Sequence, residues 1–398
     1  EYTRKLTHLG AGVIVLAMPW ALGTHWTVLA LCSGFAIVLV ASRPLGLLPS
    51  IHAIGRRTQG AQFYPVAVYG TFILADGDPF LFVAPMLVMA LSDTGAAVVG
   101  KRYGILRYRV VEDYRSLGGS LTFFVLTFTV VLVGLGLHGH PHLPSVLVIA
   151  LITGLVSTAV EGISVEGADN ILVPYATWVV LHATIAVDRD GLGVWVLGVA
   201  LMLSILLATV RQARLNATGF MAAFVSGVLA WGLGGPVWFV TLLIPYFGYT
   251  ASRPVSTSER EGDLLVIVPA FLVSLSIVLL FGHVRMAELF VPFLASVASI
   301  SAISLAGFAR SRLRSGWVEG LGGLVGATAA VVPALFMATP LLLTPVMFWL
   351  AAGGALVGPW LTRLGSWAGL SLARARLVGV VGGTAPAGVW AMLEMVGG

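Results

Sequence analysis

The sequence predicts an all-α, polytopic integral membrane protein of about 15 transmembrane helices with its N-terminus inside. Three observations predict it. The 398-residue chain is 58% apolar and only 10% charged, with a mean hydropathy of +0.98, more apolar surface than a water-soluble core could hide. Its apolar runs recur near span length and are separated by short polar connections. Its cations fall on alternate connections: 20 of 22 share a side with the N-terminus, leaving Arg189 and Arg285 opposite, as the positive-inside rule requires. That distribution also argues against nucleic acid as the partner implied by a net charge of +5.

Taken in order, the apolar runs between these connections place helices at 4–23, 26–41, 61–75, 80–99, 116–136, 145–161, 170–187 and 192–208. A second series follows at 216–232, 237–251, 263–281, 288–307, 317–338, 342–358 and 377–393. Several fall short of the roughly 20 residues of a perpendicular span, so tilted or re-entrant segments are expected among them. The abundant glycine (48 residues) suits close crossing of membrane helices. The single cysteine, Cys32, lies in an apolar run and forms no intrachain disulfide. The chain begins at Glu1, and no secretory signal pattern is visible.

The chain divides near Thr209–Asn216 into segments 1–208 and 216–398. Of the 17 acidic residues, 11 precede that point. Chemistry is therefore expected in the first segment. The second is rich in glycine pairs (Gly234-Gly235, Gly322-Gly323, Gly353-Gly354, Gly382-Gly383), which suit helix crossings or turns.

The acids at membrane depth gather at two places: Ser92-Asp93-Thr94-Gly95 and Glu161 through Glu166 to Asp169-Asn170, with Pro174 beyond. An ionised carboxylate in or beside hydrocarbon costs several kcal/mol and marks a functional site. Gly95 to Lys101 fits seven positions of a phosphate-binding P-loop, but Arg102 stands where Ser or Thr should reach Mg²⁺, and no strand precedes it. Helical spacing is the better reading. It puts Asp93, Ala96, Ala97 and Gly100 on one face, a small-residue groove holding one carboxylate. Read alone, that carboxylate equally suits an ion pair joining two helices.

The next connection carries Lys101, Arg102, Arg107, Arg109 and Arg115, with Glu112 and Asp113 among them, and runs into Ser116-Leu117-Gly118-Gly119-Ser120. Orientation alone would explain the cations. Ser116, Gly119 and Ser120 at a helix start add backbone N–H groups and hydroxyls aimed at an anion, so a phosphate cradle is expected. By contrast, the connection from Glu161 to Asn170 has no Lys or Arg, unlike every other inner connection. Hard carboxylate oxygens without a cation suit Mg²⁺ shared with nucleotide phosphates. Pro174 suggests a kink in the next helix or a broken start to it. At the N-terminus, Arg4-Lys5 and His8 share a helix face, where His8 either contacts phosphate or the reacting hydroxyl or is an interfacial histidine. The trio His138, His140 and His142 lies on the outer side, without a carboxylate or cysteine partner in sequence.

In combination these residues resemble the CTP-dependent lipid-alcohol kinases, which act on phytol, farnesol and dolichol. The resemblance rests on Arg4-Lys5, His8 and Gly12; Ser92-Asp93, Gly100-Lys101-Arg102 and Gly104; Ser116 and Gly119-Ser120; and Glu161, Ser164, Asp169-Asn170 and Pro174, across residues 1–205. Where that family usually shows Lys-Ser-x-Glu-Gly-Ser, this chain has Arg115 to Ser120, so the cation is kept and a carboxylate is replaced by Gly118. Residues 216–398 are similar, more faintly, to the phytyl-phosphate kinase-like membrane family. The stretch 296–310, where that family carries acids, has none, so this segment is expected to be non-catalytic.

The resemblance implies a magnesium-dependent kinase that phosphorylates an isoprenoid alcohol at the cytoplasmic membrane face, with CTP as donor. Asp93, Glu161 and Asp169 are the expected metal ligands and, with His8, the catalytic groups. Lys101, Arg102, Arg107, Arg109, Arg115, Ser116, Gly119, Ser120 and Asn170 are the expected nucleotide ligands. A cytidylyltransferase forming a CDP-lipid would use the same reagents but attack the α-phosphate. A transporter is the remaining alternative, although transporters hold their polar residues near the bilayer midplane. The lipid partner's chain length and the oligomeric state stay open.

Overall fold

Polar breakers set the ends of the helices and the pleat of one short ribbon. The computed structural model describes residues 10, 12 and 14–42, then 60–251 except 111, 112, 141, 166 and 214, and scattered short pieces from 293 to 382. A short turn at Met18–Ala21 precedes helix α1, His25–Ser42. Helix α2 is Gly60–Leu74, and α3 is Pro79–Tyr103. Strands β1, Arg107–Val110, and β2, Asp113–Ser116, lead into α4, Leu117–Leu137. Then come α5, Leu143–Ile163; α6, Asp169–Ile185; α7, Arg189–Ala213; and α8, Ala217–Ala251.

Six helices among the described residues are long and apolar enough to cross a membrane: α1, α3, α4, α5, α7 and Ala217–Leu243 of α8. The chain is a polytopic helical membrane protein. At 15 and 17 residues, α2 and α6 are shorter than a perpendicular span, and they pack against each other and against α1 and α5. The helices expected from 263 onward lie largely outside the described residues, as do residues 4–9 of the helix expected at 4–23, His8 among them.

Two compact units divide the chain, Glu1–Val196 and Leu197–Gly398, with the boundary inside α7. In the first unit, Phe80 and Ala84 of α3, Val131 and Leu135 of α4, Ile149 of α5 and Leu181 of α6 form one buried cluster. In the second, the Thr209 hydroxyl bonds the Tyr246 hydroxyl at 2.6 Å. Helix α8 is interrupted at Gly235 (φ 69°, ψ −160°), a conformation essentially confined to glycine. That break separates the two helices expected at 216–232 and 237–251.

The start of α3 is set by Asp78, whose side chain accepts from the Phe80 and Leu81 N–H groups at 2.8 and 3.4 Å, with Pro79 at the first helical position. Pro85 interrupts the hydrogen-bond ladder, and Val88–Ser92 follows as a π turn immediately before Asp93. The helix then runs on through Gly100, Lys101 and Arg102 to Tyr103, past the expected end at 99. The whole Gly95–Lys101 stretch is helical, so it makes no P-loop.

The small-residue face of α3 is filled by a neighbouring helix. A side chain on Gly119 of α4 would lie 3.0 Å from the Ala96 carbonyl and 3.4 Å from Gly100 Cα. The expected groove is thus a close helix crossing, which small residues permit. One turn deeper, the Thr127 hydroxyl donates to Ser92 at 3.0 Å.

Two expectations are corrected. The chain is not purely α: the cationic connection is an antiparallel ribbon, pairing Arg107 with Ser116, Tyr108 with Arg115 and Arg109 with Tyr114. Charge hid the strand signal, an alternating Arg-Tyr-Arg-Val whose aromatic and β-branched members favour extended backbone. Pro174 does not break its helix. It sits buried inside α6, and the donor it lacks is the one the Asn170 carbonyl would have received.

Candidate functional site

Glu161 is in the last turn of α5, and Asp169 is the first residue of α6. Between them the chain turns tightly. The Ser164 N–H donates to the Glu161 carbonyl at 3.1 Å, the Ala168 N–H to Val165 at 2.9 Å, and Gly167 adopts φ 88°, a region that favours glycine. The ends of two helix dipoles meet here with opposite effect. Asp169 lies at a helix N-terminus, where negative charge is favoured, and Glu161 lies at a C-terminus, where it is not. Glu161 is also nearly buried, its side chain 5% exposed, so it needs a cation.

Arg115 supplies it. Reaching in from β2, its guanidinium forms an ion pair with Glu161, lies 3.9 Å from the Asp169 carboxylate and donates to the Ser164 carbonyl at 3.1 Å. The fork spreads its donors over two nitrogens, so it reaches separated acceptors that would all have to converge on the single nitrogen of a lysine. Asp169 also accepts from the Asn170 N–H at 3.1 Å.

The ribbon divides the five cations. Cross-strand partners share a face, so Tyr108 and Arg115 point together: Tyr108 bonds the Ser120 hydroxyl at 2.7 Å while Arg115 reaches the acids. Arg107, Arg109 and Tyr114 belong to the other face, and all three are exposed. Lys101 and Arg102 end α3 in exposed positions, Arg102 stacked over the Tyr103 ring at 5.4 Å.

The start of α4 is similarly committed. Ser116 caps the helix by accepting from the Gly119 N–H at 3.1 Å, and the Leu117 N–H donates to the Leu106 carbonyl at 3.0 Å. Of the amides expected to face an anion, that of Gly119 is therefore already bonded, as is its neighbour at Leu117. The Asn170 side-chain amide donates to the Gly60 carbonyl at 2.8 Å and ties α6 to α2.

Asp93 stands on α3 directly after the π turn, half-buried and engaged in interactions of its own. Such widened turns recur at functional positions. Among the described residues, no three His, Cys, Asp or Glu side chains gather as a metal cage would need. Asp93 is thus not assembled with Glu161 and Asp169 into a three-carboxylate set.

No family model matches the chain, and no solved structure matches it. A curated relative does. The phytol kinase of Synechocystis sp. is 36% identical over 188 residues, which span 46% of this chain and 79% of that protein. The chain belongs to the phytol kinase family. The likeness covers less than half of this family member.

Three residues to which the sequence reading gave no role of their own lie beside the candidate site residues. The Thr94 and Thr158 hydroxyls, beside Asp93 and one turn before Glu161, are buried without a hydrogen-bond partner among the described residues. Tyr108 is the third, fixing Ser120. Thr158 could have been found from its i, i+3 spacing to Glu161; Tyr108 could not, because only the ribbon register turns it inward.

Proposed function

We propose that this protein is a membrane kinase that transfers the γ-phosphoryl group of CTP to the hydroxyl of an isoprenoid alcohol of the phytol class. One observation carries the reading. In a member of the phytol kinase family, two carboxylates at adjoining helix ends share a single cation, where spans α5 and α3–α4 meet the membrane face. The proposed topology makes that face cytoplasmic, from the excess of Lys and Arg in the connections on that side.

Glu161 and Asp169 fit a divalent ion held jointly with nucleotide phosphates. They already bracket one cationic group, Mg²⁺ commonly takes one or two protein carboxylates, and the unpartnered Thr158 hydroxyl lies one turn away. Mg²⁺ bound by Glu161 and Asp169 would neutralise charge on the triphosphate. As nucleotide arrives, Arg115 turns its fork from the carboxylates to phosphate oxygens, which match its geometry equally well. Lys101, two helical turns beyond Asp93 on α3, is the proposed second phosphate contact.

Asp93 is the proposed base. It accepts the proton of the acceptor hydroxyl as that oxygen attacks the γ-phosphorus and the bond to the β-phosphate oxygen breaks, leaving lipid monophosphate and CDP. Positioning and charge neutralisation carry most of such a reaction. The choice of CTP follows from the motif resemblance at Asp93, Lys101, Glu161 and Asp169.

Purified protein with Mg²⁺, a prenol and CTP labelled at either the γ- or the α-phosphate tests the reading. Label on the lipid from γ-labelled CTP is expected. Label on the lipid only from α-labelled CTP, with release of diphosphate, would show a cytidylyltransferase instead.

A further inference from the structure

We propose that the ribbon between α3 and α4 is an interfacial lipid-binding element whose outer face takes anionic phospholipid headgroups. The inference needs only the membrane fold and stands independently of the phosphoryl-transfer reading.

Placement comes first. Tyr103 ends one candidate span and Leu117 begins the next, so the intervening residues have no linker to carry them away from the membrane surface. The ribbon is also seated on the helices rather than loosely attached. Leu117 N–H donates to the Leu106 carbonyl, and Tyr108 bonds Ser120 of α4. A side chain on Gly104 would collide with the Gly100 carbonyl, so the chain leaves α3 through a close approach that only glycine permits.

The ribbon exposes the side chains an interface selects. Ile105 and Leu106 are 77% and 71% exposed, with Tyr103, Tyr114 and Leu117 also outward. Leu106 holds φ 55°, an uncommon conformation for a bulky residue. Two adjacent large aliphatics displayed to water beside a bilayer are better accounted for by insertion at the acyl-chain boundary, with tyrosines at headgroup level.

Charge then selects the lipid. Arg102, Arg107 and Arg109 are all exposed, and 101–110 contains no acid. The acids nearby in sequence are Glu112 and Asp113 at the ribbon tip. Arg115 is occupied by Glu161 and Asp169 on the opposite face. Arg109 has an interaction of its own within the chain, and with it the exposed Arg102 and Arg107 make a positive surface that complements anionic headgroups, where each cation contributes about fivefold in association at moderate ionic strength.

The test places a bimane probe on Leu106→Cys in a Cys32→Ala background, in nanodiscs of phosphatidylcholine doped with lipid brominated high on its acyl chains. Quenching by brominated phosphatidylglycerol is expected to be at least about fivefold more effective than by brominated phosphatidylcholine. The preference should fall toward unity in Arg107→Gln/Arg109→Gln, or in 1 M salt (Debye length about 3 Å). Unchanged circular dichroism would establish that the double variant stays folded. Absence of quenching by either lipid would overturn the proposal by putting the ribbon in water. Equal quenching by both headgroups in the parent would overturn headgroup binding. Loss of the preference on adding stoichiometric CTP would also overturn it, assigning these cations to nucleotide.

Discussion

Replacing Arg115 with methionine keeps the volume and removes the charge, leaving Glu161 almost fully buried at the negative end of the α5 dipole. Removing one partner of a buried pair costs on the order of 3–5 kcal/mol. Arg115 and Asp169 remain about one-fifth exposed (23% and 22%), so solvent screening lowers the expected loss to roughly 2–3 kcal/mol. For a unit of the size of Glu1–Val196, each kcal/mol shifts the midpoint by about 2–4 °C, giving roughly 4–12 °C. Arg115→Met/Glu161→Leu removes both charges together and should recover most of that loss, because an apolar replacement of a whole buried pair is often neutral. Arg115→Lys should recover only part, since one ammonium cannot reach Glu161, Asp169 and the Ser164 carbonyl together. Thermal unfolding of detergent-solubilised protein followed by tryptophan fluorescence reads all three, with exposed Arg107→Met as the control near zero. A single variant no worse than that control, or a double variant as damaged as the single, would refute the argument that Arg115 is there to neutralise Glu161.

Four further outcomes follow from the same geometry. Asp93→Asn should abolish lipid phosphorylation while leaving thermal unfolding within about 1 kcal/mol of the parent; near-normal turnover would remove Asp93 from the chemistry. Glu161→Gln and Asp169→Asn should each raise the Mg²⁺ concentration for half-maximal turnover or eliminate turnover, as Mg²⁺ titrations would show, because neutral amides are poorer ligands for a hard cation. Gly119→Val should cost about 1–3 kcal/mol by forcing α4 from Ala96 and Gly100, measured by the same unfolding assay. Residues 216–398 should not catalyse: supplied with prenyl monophosphate and CTP or ATP, the protein should form no diphosphate, and diphosphate that survives Asp93→Asn but is lost in Glu319→Gln would contradict this.

Hydropathy and acid placement made the membrane class, most helices of the described region and the acidic connection between α5 and α6 legible without coordinates. The reason is energetic. Lipid demands long apolar runs with internally satisfied backbone, and it penalises every carboxylate without a function, so both leave a local trace. The Pro79–Tyr103 helix was foreseen up to its charged last turn, because positive residues at a helix C-terminus look the same as the start of a loop. The β-ribbon was not foreseen, since five cations in a short connection masked an alternating strand pattern. Its register decided the rest. Pairing Tyr108 with Arg115 turns one cation toward Glu161 and leaves Arg107 and Arg109 on the opposite face, a division that charge counting along the chain cannot make. Likewise, Ala96 and Gly100 read equally well as a ligand groove or a helix seam, and only the approach of Gly119 shows the seam. Residue type and spacing are carried by the chain itself, whereas which side chain faces which depends on strand register and helix crossing, and those exist only once distant segments pack.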